Sequence, residues 1–313
     1  MIQLGFSGRI LSQPRLMTYD RQRAAARPHL SVSLLYLRDV LAHLQRNAVH
    51  FYRLPMQLAP YLTHPELPQF HDQIAECAAD LALLGEQARE HNLRLSLHLP
   101  SSVVLSTPDA GLAARSLHEI EMHAALLQAI GTANAVMVAH IGGAYTERAA
   151  ALGRCVERIM QLSPRARSLL AIEPDGRVWS LVDGLHIHAQ TATPVIFDHL
   201  HHQLYDPHQI APTEALGYAL ATWPSERRPK VHFSSPRTEL RISSGSTGRP
   251  HLQAPTWYEH SDFAHPFELI AALRLPAIRP YDLMLEAKAG DLALFRARED
   301  IARFAPDVVE RVH

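Results

Sequence analysis

Six short apolar runs in this sequence end in a side chain able to ligate a metal. They are Leu95-Ser96-Leu97-His98, Val136-Met137-Val138-Ala139-His140, Leu169-Leu170-Ala171-Ile172-Glu173, Val195-Ile196-Phe197-Asp198, Val231-His232 and Leu283-Met284-Leu285-Glu286. His201 follows Asp198 by three residues, and His64 and His260 lie in segments after other such runs. Zinc takes about four ligands and manganese about six, so nine imidazoles and carboxylates exceed what one ion uses and imply two or three divalent ions. A lone histidine is ordinarily a hydrogen-bonded structural residue. The repeated placement argues for ligation, and His71, His91, His202, His251 and His265 keep the structural reading.

Apolar runs of this length, rich in β-branched residues, read as strands of a parallel sheet buried on both faces. In a (β/α)8 barrel every strand delivers its C-terminal end to one face, so ligands distant in sequence meet in one pocket. Side-chain alternation agrees: Asp198 shares a face with Ile196, His140 with Val138, Glu286 with Met284, and His232 with Lys230. The expected fold class is α/β, a single TIM-barrel domain over residues 1–313 with long loops at the C-terminal face. Strands are expected near 2–6, 50–54, 93–98, 135–141, 169–173, 194–198, 230–234 and 282–286. Helical spacing of apolar residues predicts helices over 31–48, 74–90, 112–130, 147–162, 212–222 and 266–273. Residues 59–70 and 236–263 read as loops, the second holding Gly245, Gly248, Trp257, Tyr258 and His260.

With 47% hydrophobic residues the chain has material for a large core, and no apolar run reaches the ~18 residues of a membrane span. Residues 1–6 lack the pattern of a secretory signal, and Cys77 and Cys155, both in helical patterns, are too few for a disulfide framework. A cytoplasmic monomer is expected. A net charge of −1 argues against a globally basic nucleic-acid binder, although bound cations would add positive charge locally. Arg53, within the second strand, is read as a DNA contact, and Arg9, Arg15, Arg21, Arg23 and Arg27 crowd the segment after the first. They read either as a solvated surface or as a phosphate-contacting patch.

The chain resembles UV damage endonucleases, relatives of endonuclease IV that nick DNA beside lesions with a cluster of divalent metals. The likeness runs through Thr63-His64-Pro65, Leu95 to His98, Ala139-His140-Ile141-Gly142-Gly143-Ala144-Tyr145, Ile172-Glu173, Asp198-His199-Leu200-His201-His202, Arg228-Pro229-Lys230-Val231-His232, His260-Ser261-Asp262 and Leu285-Glu286-Ala287-Lys288. It implies that all nine ligands are kept, with manganese or zinc bound. It also implies that Lys230 matches a lysine carboxylated beside the metals; the alternative is a salt bridge from Lys230 to a ligand carboxylate. A phosphodiester is anionic and resists attack, so clustered cations must neutralise its oxygens, activate water and stabilise the leaving alkoxide. Glu173 and Glu286 suit bridging positions.

Departures from the family lie at the lesion reader. The family's glutamine–tyrosine probe falls on Leu99-Pro100-Ser101-Ser102, its tyrosine at the end of strand one is Phe6, and two asparagines fall on Ile10 and Pro174. Trp257 and Tyr258 offer either a replacement stacking surface or loop anchors. The implied function is incision of damaged double-stranded DNA 5′ to a lesion. The alternatives are a relative acting on abasic or other substrates, a metal-dependent sugar isomerase on the same barrel, and a DNA-binding relative without turnover.

Overall fold

A computed structural model describes residues 1–18, 29–244 and 250–312. Arg21, Arg23, Arg27, Gly245 and Gly248 lie outside the described residues.

The strands are β1 (Gln3–Ser7), β2 (Phe51–Arg53), β3 (Arg94–His98), β4 (Val136–His140), β5 (Leu170–Glu173), β6 (Phe197–Asp198), β7 (Lys230–Phe233), β8 (Pro236–Arg237), β9 (Arg241–Ser244), β10 (Pro250–Gln253), β11 (Thr256–His260) and β12 (Asp282–Leu285). Eight of them form one parallel sheet in the order β5-β4-β3-β2-β1-β12-β7-β6. A parallel bridge from Ile172 to Val195 joins its two edges and closes the barrel. The fold is a TIM barrel, as its strand pattern led us to expect. Helices cover the outside: Leu30–Arg46 turns Leu34, Leu37, Leu41 and Leu44 inward at helical spacing. Among the described residues no helix is long and apolar enough to cross a membrane.

Three expectations need correction. The helix expected over 74–90 is two, Gln73–Glu76 and Ala78–Glu90, with Cys77 at the joint. The buried Gln73 amide donates to the Pro60 and Phe70 carbonyls and accepts from the Leu30 N–H, tying the first turn to the preceding loop. β6 is only Phe197–Asp198, because residues 194–196 meet the sheet through the single closing bridge. Residues 236–263 are not a loop: β8 pairs antiparallel with β11, and β9 with β10. The β9–β10 pair carries little core, with Ile242 and Leu252, partners across it, 76% and 70% exposed. A strand that buries nothing leaves no alternation to read.

Side chains fill the barrel in layers, as alternation requires. On the floor, Arg94 Nη1 donates to Asp282 Oδ2 at 2.8 Å, and Arg228 caps the other carboxylate oxygen. One step up, Phe51 lies under Lys230, whose Nζ donates to Ser96 Oγ at 3.3 Å. Gly5 admits that ring, since a Cβ there would stand 2.7 Å from it. Above this layer the strands open onto the mouth.

Candidate metal centre

Neighbouring parallel strands carry their ligands in direct register: His140 lies beside Glu173, and Asp198 beside His232. His98 sits two places beyond Ser96 on the inner side of β3, and Glu286 follows the last residue of β12. The mouth thus gathers three overlapping groups of donors within 4.8 Å of one another: His98, His140 and Glu173; His98, His232 and Glu286; and Glu173, Asp198, His232 and Glu286.

Glu173 is fully buried and shared. His98 Nε2 lies 2.7 Å from its Oε2 and His232 Nδ1 2.8 Å from its Oε1. Backbone carbonyls orient four of the rings: Nδ1 of His98 meets Leu99 O at 2.9 Å, His140 meets Glu173 O at 3.1 Å, His201 meets Pro174 O at 3.0 Å, and His260 meets Glu286 O at 2.9 Å. Such contacts fix which nitrogen is left to face the centre, as outer partners do for metal-bound histidine. His201 and His260 flank the groups, with Nδ1 3.4 Å from Glu173 and 3.9 Å from Glu286 respectively.

The electrostatics call for cations. Three carboxylates, Glu173, Asp198 and Glu286, face one small buried volume. Burial alone would raise Glu173 and Glu286, yet the surrounding histidines, and Arg53 at Glu286, hold both well below the usual carboxylate range. Burial would lower His201, but Asp198, Glu173 and Glu286 outweigh it and raise that imidazole to about 9. His98 goes the other way: burial dominates, its pKa falls to about 4, and the ring is neutral, as a ligand must be. Asp198 Oδ2 and His232 Nε2 are buried without a hydrogen-bond partner. A buried orphan carboxylate oxygen inside a ligand group is what a missing metal bond leaves, so the residues fit divalent ions.

Lys230 is fully buried, facing the interior as parity requires. Burial first, then Arg53, pulls its pKa well below the ordinary lysine value. Arg53 donates to Glu286 at the rim and lines, with Arg9, Thr18, Met56, Gln57 and His98, a concavity of about 340 Å3. His64 lies outside the three donor groups: its Nδ1 accepts from the Glu66 N–H, and its ring packs edge-on to Tyr61. Ser101 and Ser102 are exposed in the turn after β3, and Trp257 and Tyr258 are exposed on β11. Sequence reading missed Ser96 as the partner of Lys230, though its place two residues before His98 marked it as inward-facing. It also treated Arg53 only as a DNA contact and not as a neighbour of Glu286.

The barrel, with histidines and carboxylates gathered at its mouth, shares the TIM-barrel fold with solved structures of low sequence identity. The crystal structure of endonuclease IV from Thermus thermophilus superposes with a TM-score of 0.58 at 14% identity, covering 96% of this chain and 99% of that one. The chain belongs to the UV-endonuclease UvdE family, whose sequence profile matches residues 15–312. A UV DNA damage endonuclease of Bacillus cereus (strain G9842) is 30% identical over 286 residues, 90% of this chain and 84% of that protein. The crystal structure of SacUVDE matches with a TM-score of 0.79 at 21% identity, over 97% of this chain and 99% of that one.

Proposed function

We propose that the protein is a metal-dependent DNA repair endonuclease that hydrolyses the phosphodiester 5′ to a lesion in damaged double-stranded DNA, acting as a monomer in the cytoplasm. The observation that carries this reading is Glu173, one buried carboxylate common to two donor groups in a chain of the UvdE family. Two or three divalent ions, manganese or zinc, would complete the site. When bound they supply Lewis-acid neutralisation of the phosphate and water activated at neutral pH.

The chain's own residues do the rest. Glu173 and Glu286 would hold the ions from the shared central positions, Asp198 and His98, His140, His201, His232 and His260 would hold them from the outer positions, and His64 would join from its loop. Lys230 serves as a carboxylated, anionic side chain. Arg9 and Arg53 line one concavity beside the centre, which supports contact with the phosphate backbone. Ser101 and Ser102 flank the lesion without stacking on it, and Trp257 and Tyr258 supply the aromatic surface.

The test is incision of matched duplexes bearing a photoproduct, an abasic site or no lesion, after chelation and after restoring manganese or zinc. We expect ion-dependent cuts 5′ to the lesion. Preference for the photoproduct over the abasic site should be about tenfold to a hundredfold weaker than an inserted tyrosine would confer, because base–aromatic stacking contributes about 1–3 kcal/mol per base. No incision of any duplex with ions restored would overturn the nuclease reading. Strong photoproduct preference surviving both Trp257→Ala and Tyr258→Ala would overturn the account of the lesion reader.

A further inference from the structure

The strand that carries His260 is irregular. β11 pairs with β8 at Thr256 with Arg237 and at His260 with Pro236, and the register breaks between. Residues inserted at such a break leave the ladder and are re-aimed, which is why bulges recur beside active sites. Here the re-aimed side chains are Trp257 and Tyr258, 64% and 51% exposed. Tyr258 is not isolated: the guanidinium carbon of Arg177 lies 4.0 Å from its ring centroid.

Arg177 reaches that ring from a separate part of the mouth. It stands four residues beyond Glu173, in a turn pinned from two sides. Asp175 Oδ1 accepts from the N–H groups of Arg177, Val178 and Trp179 at 3.0, 3.0 and 2.9 Å. Gly176, at φ +64°, lies so close to His201 that a Cβ would stand 2.5 Å from its Cα. The backbone of Arg177 is therefore tied to the loop of Glu173 and to His201, while its exposed head is braced by the neighbour of His260. Among the described residues, its guanidinium has the Tyr258 ring as partner and no carboxylate. A guanidinium laid on an aromatic face keeps its donors free and loses little freedom on binding, so it is pre-organised for a phosphate.

We infer that Arg177, backed by Tyr258, binds a backbone phosphate flanking the scissile one. The inference rests on the nuclease reading and adds a substrate-binding residue to it.

The experiment uses the full-length, metal-loaded protein and a fluorescent lesion-bearing duplex, measuring affinity across salt concentrations together with kcat and KM. Arg177→Ala should weaken binding about tenfold at moderate salt, as loss of one charge-assisted contact does. It should also reduce the slope of log affinity against log salt by about one and raise KM far more than it lowers kcat. Tyr258→Leu should lose part of the affinity, which Tyr258→Phe restores by keeping the ring. If Arg177→Ala folds poorly by circular dichroism, Arg177→Gln gives the same reading. Wild-type affinity and salt slope in the arginine variant would overturn the inference, as would weakened binding with an unchanged slope, which marks a latch between loops. A wild-type protein that neither binds nor incises DNA would overturn the nuclease reading beneath it, whereas incising wild type with an indifferent Arg177 variant overturns this inference alone.

Discussion

His98 Nε2 lies 2.7 Å from Glu173 Oε2, while His232 engages the other oxygen of the same buried carboxylate. Both oxygens thus belong to the centre, one on the β3 side and one on the β7 side. Glu173→Gln removes the charge and replaces one oxygen by an amide that cannot bridge. Even outer partners of metal ligands cost about 10–100-fold when removed, so turnover should fall at least about a hundredfold, with loss of bound metal. Elemental analysis of protein never exposed to chelator should give two or three ions per wild-type chain and fewer in the variant. One ion or none in wild type would remove the cluster, and a variant with full activity would remove the bridge.

Among the described residues Lys230 has one hydroxyl, that of Ser96, as hydrogen-bond partner and no carboxylate contact, although an ammonium carries three donors. That environment suits a modified side chain better than a charged amine. Intact mass under bicarbonate should show the increment of one CO2 on wild type and not on Lys230→Met, and the variant should lose at least about tenfold in turnover. An unmodified wild type together with a fully active Lys230→Met would refute the role.

Arg9 is exposed at the rim, on a segment clamped by Tyr52, whose hydroxyl donates to Gly8 O at 2.7 Å, and by Asp291, which accepts from Leu11 N at 2.7 Å. A phosphate contact from Arg9 releases condensed counterions, so Arg9→Ala should lower the salt slope of DNA binding by about one and weaken lesion-bearing and undamaged duplexes alike. An unchanged slope would return Arg9 to the solvated surface.

Asp282 is fully buried on the barrel floor between Arg94 and Arg228. Asp282→Asn strands a buried guanidinium and should reduce unfolding free energy by about 3–5 kcal/mol, as breaking one side of a buried pair does. Urea titration measures it. Because the floor is two layers below the mouth, metal content should stay at the wild-type level; a variant as stable as wild type would show that the floor pair is not holding the barrel.

What could be read from the residues alone was whatever repeats locally. Parallel strands buried on both faces carry apolar runs, alternation assigns each inward side chain, and parallel closure sends every strand end to one mouth, so the pattern alone was enough to place His98, His140, Glu173, Asp198, His232 and Glu286 together. The short alternation at Ser96 and Arg53 was equally present but says only which way a side chain points, not what it meets. Their partners, Lys230 and Glu286, come from strands 134 and 233 residues away and follow from register and closure of the whole barrel. The β8–β11 pairs left no pattern because they bury little, and the bulge that turns Tyr258 toward Arg177 depends on how two strands fall out of register. His64 shows the same limit from the other side: a loop histidine has no alternation to aim it, and only the packing of residues 61–71 set it apart from the donor groups.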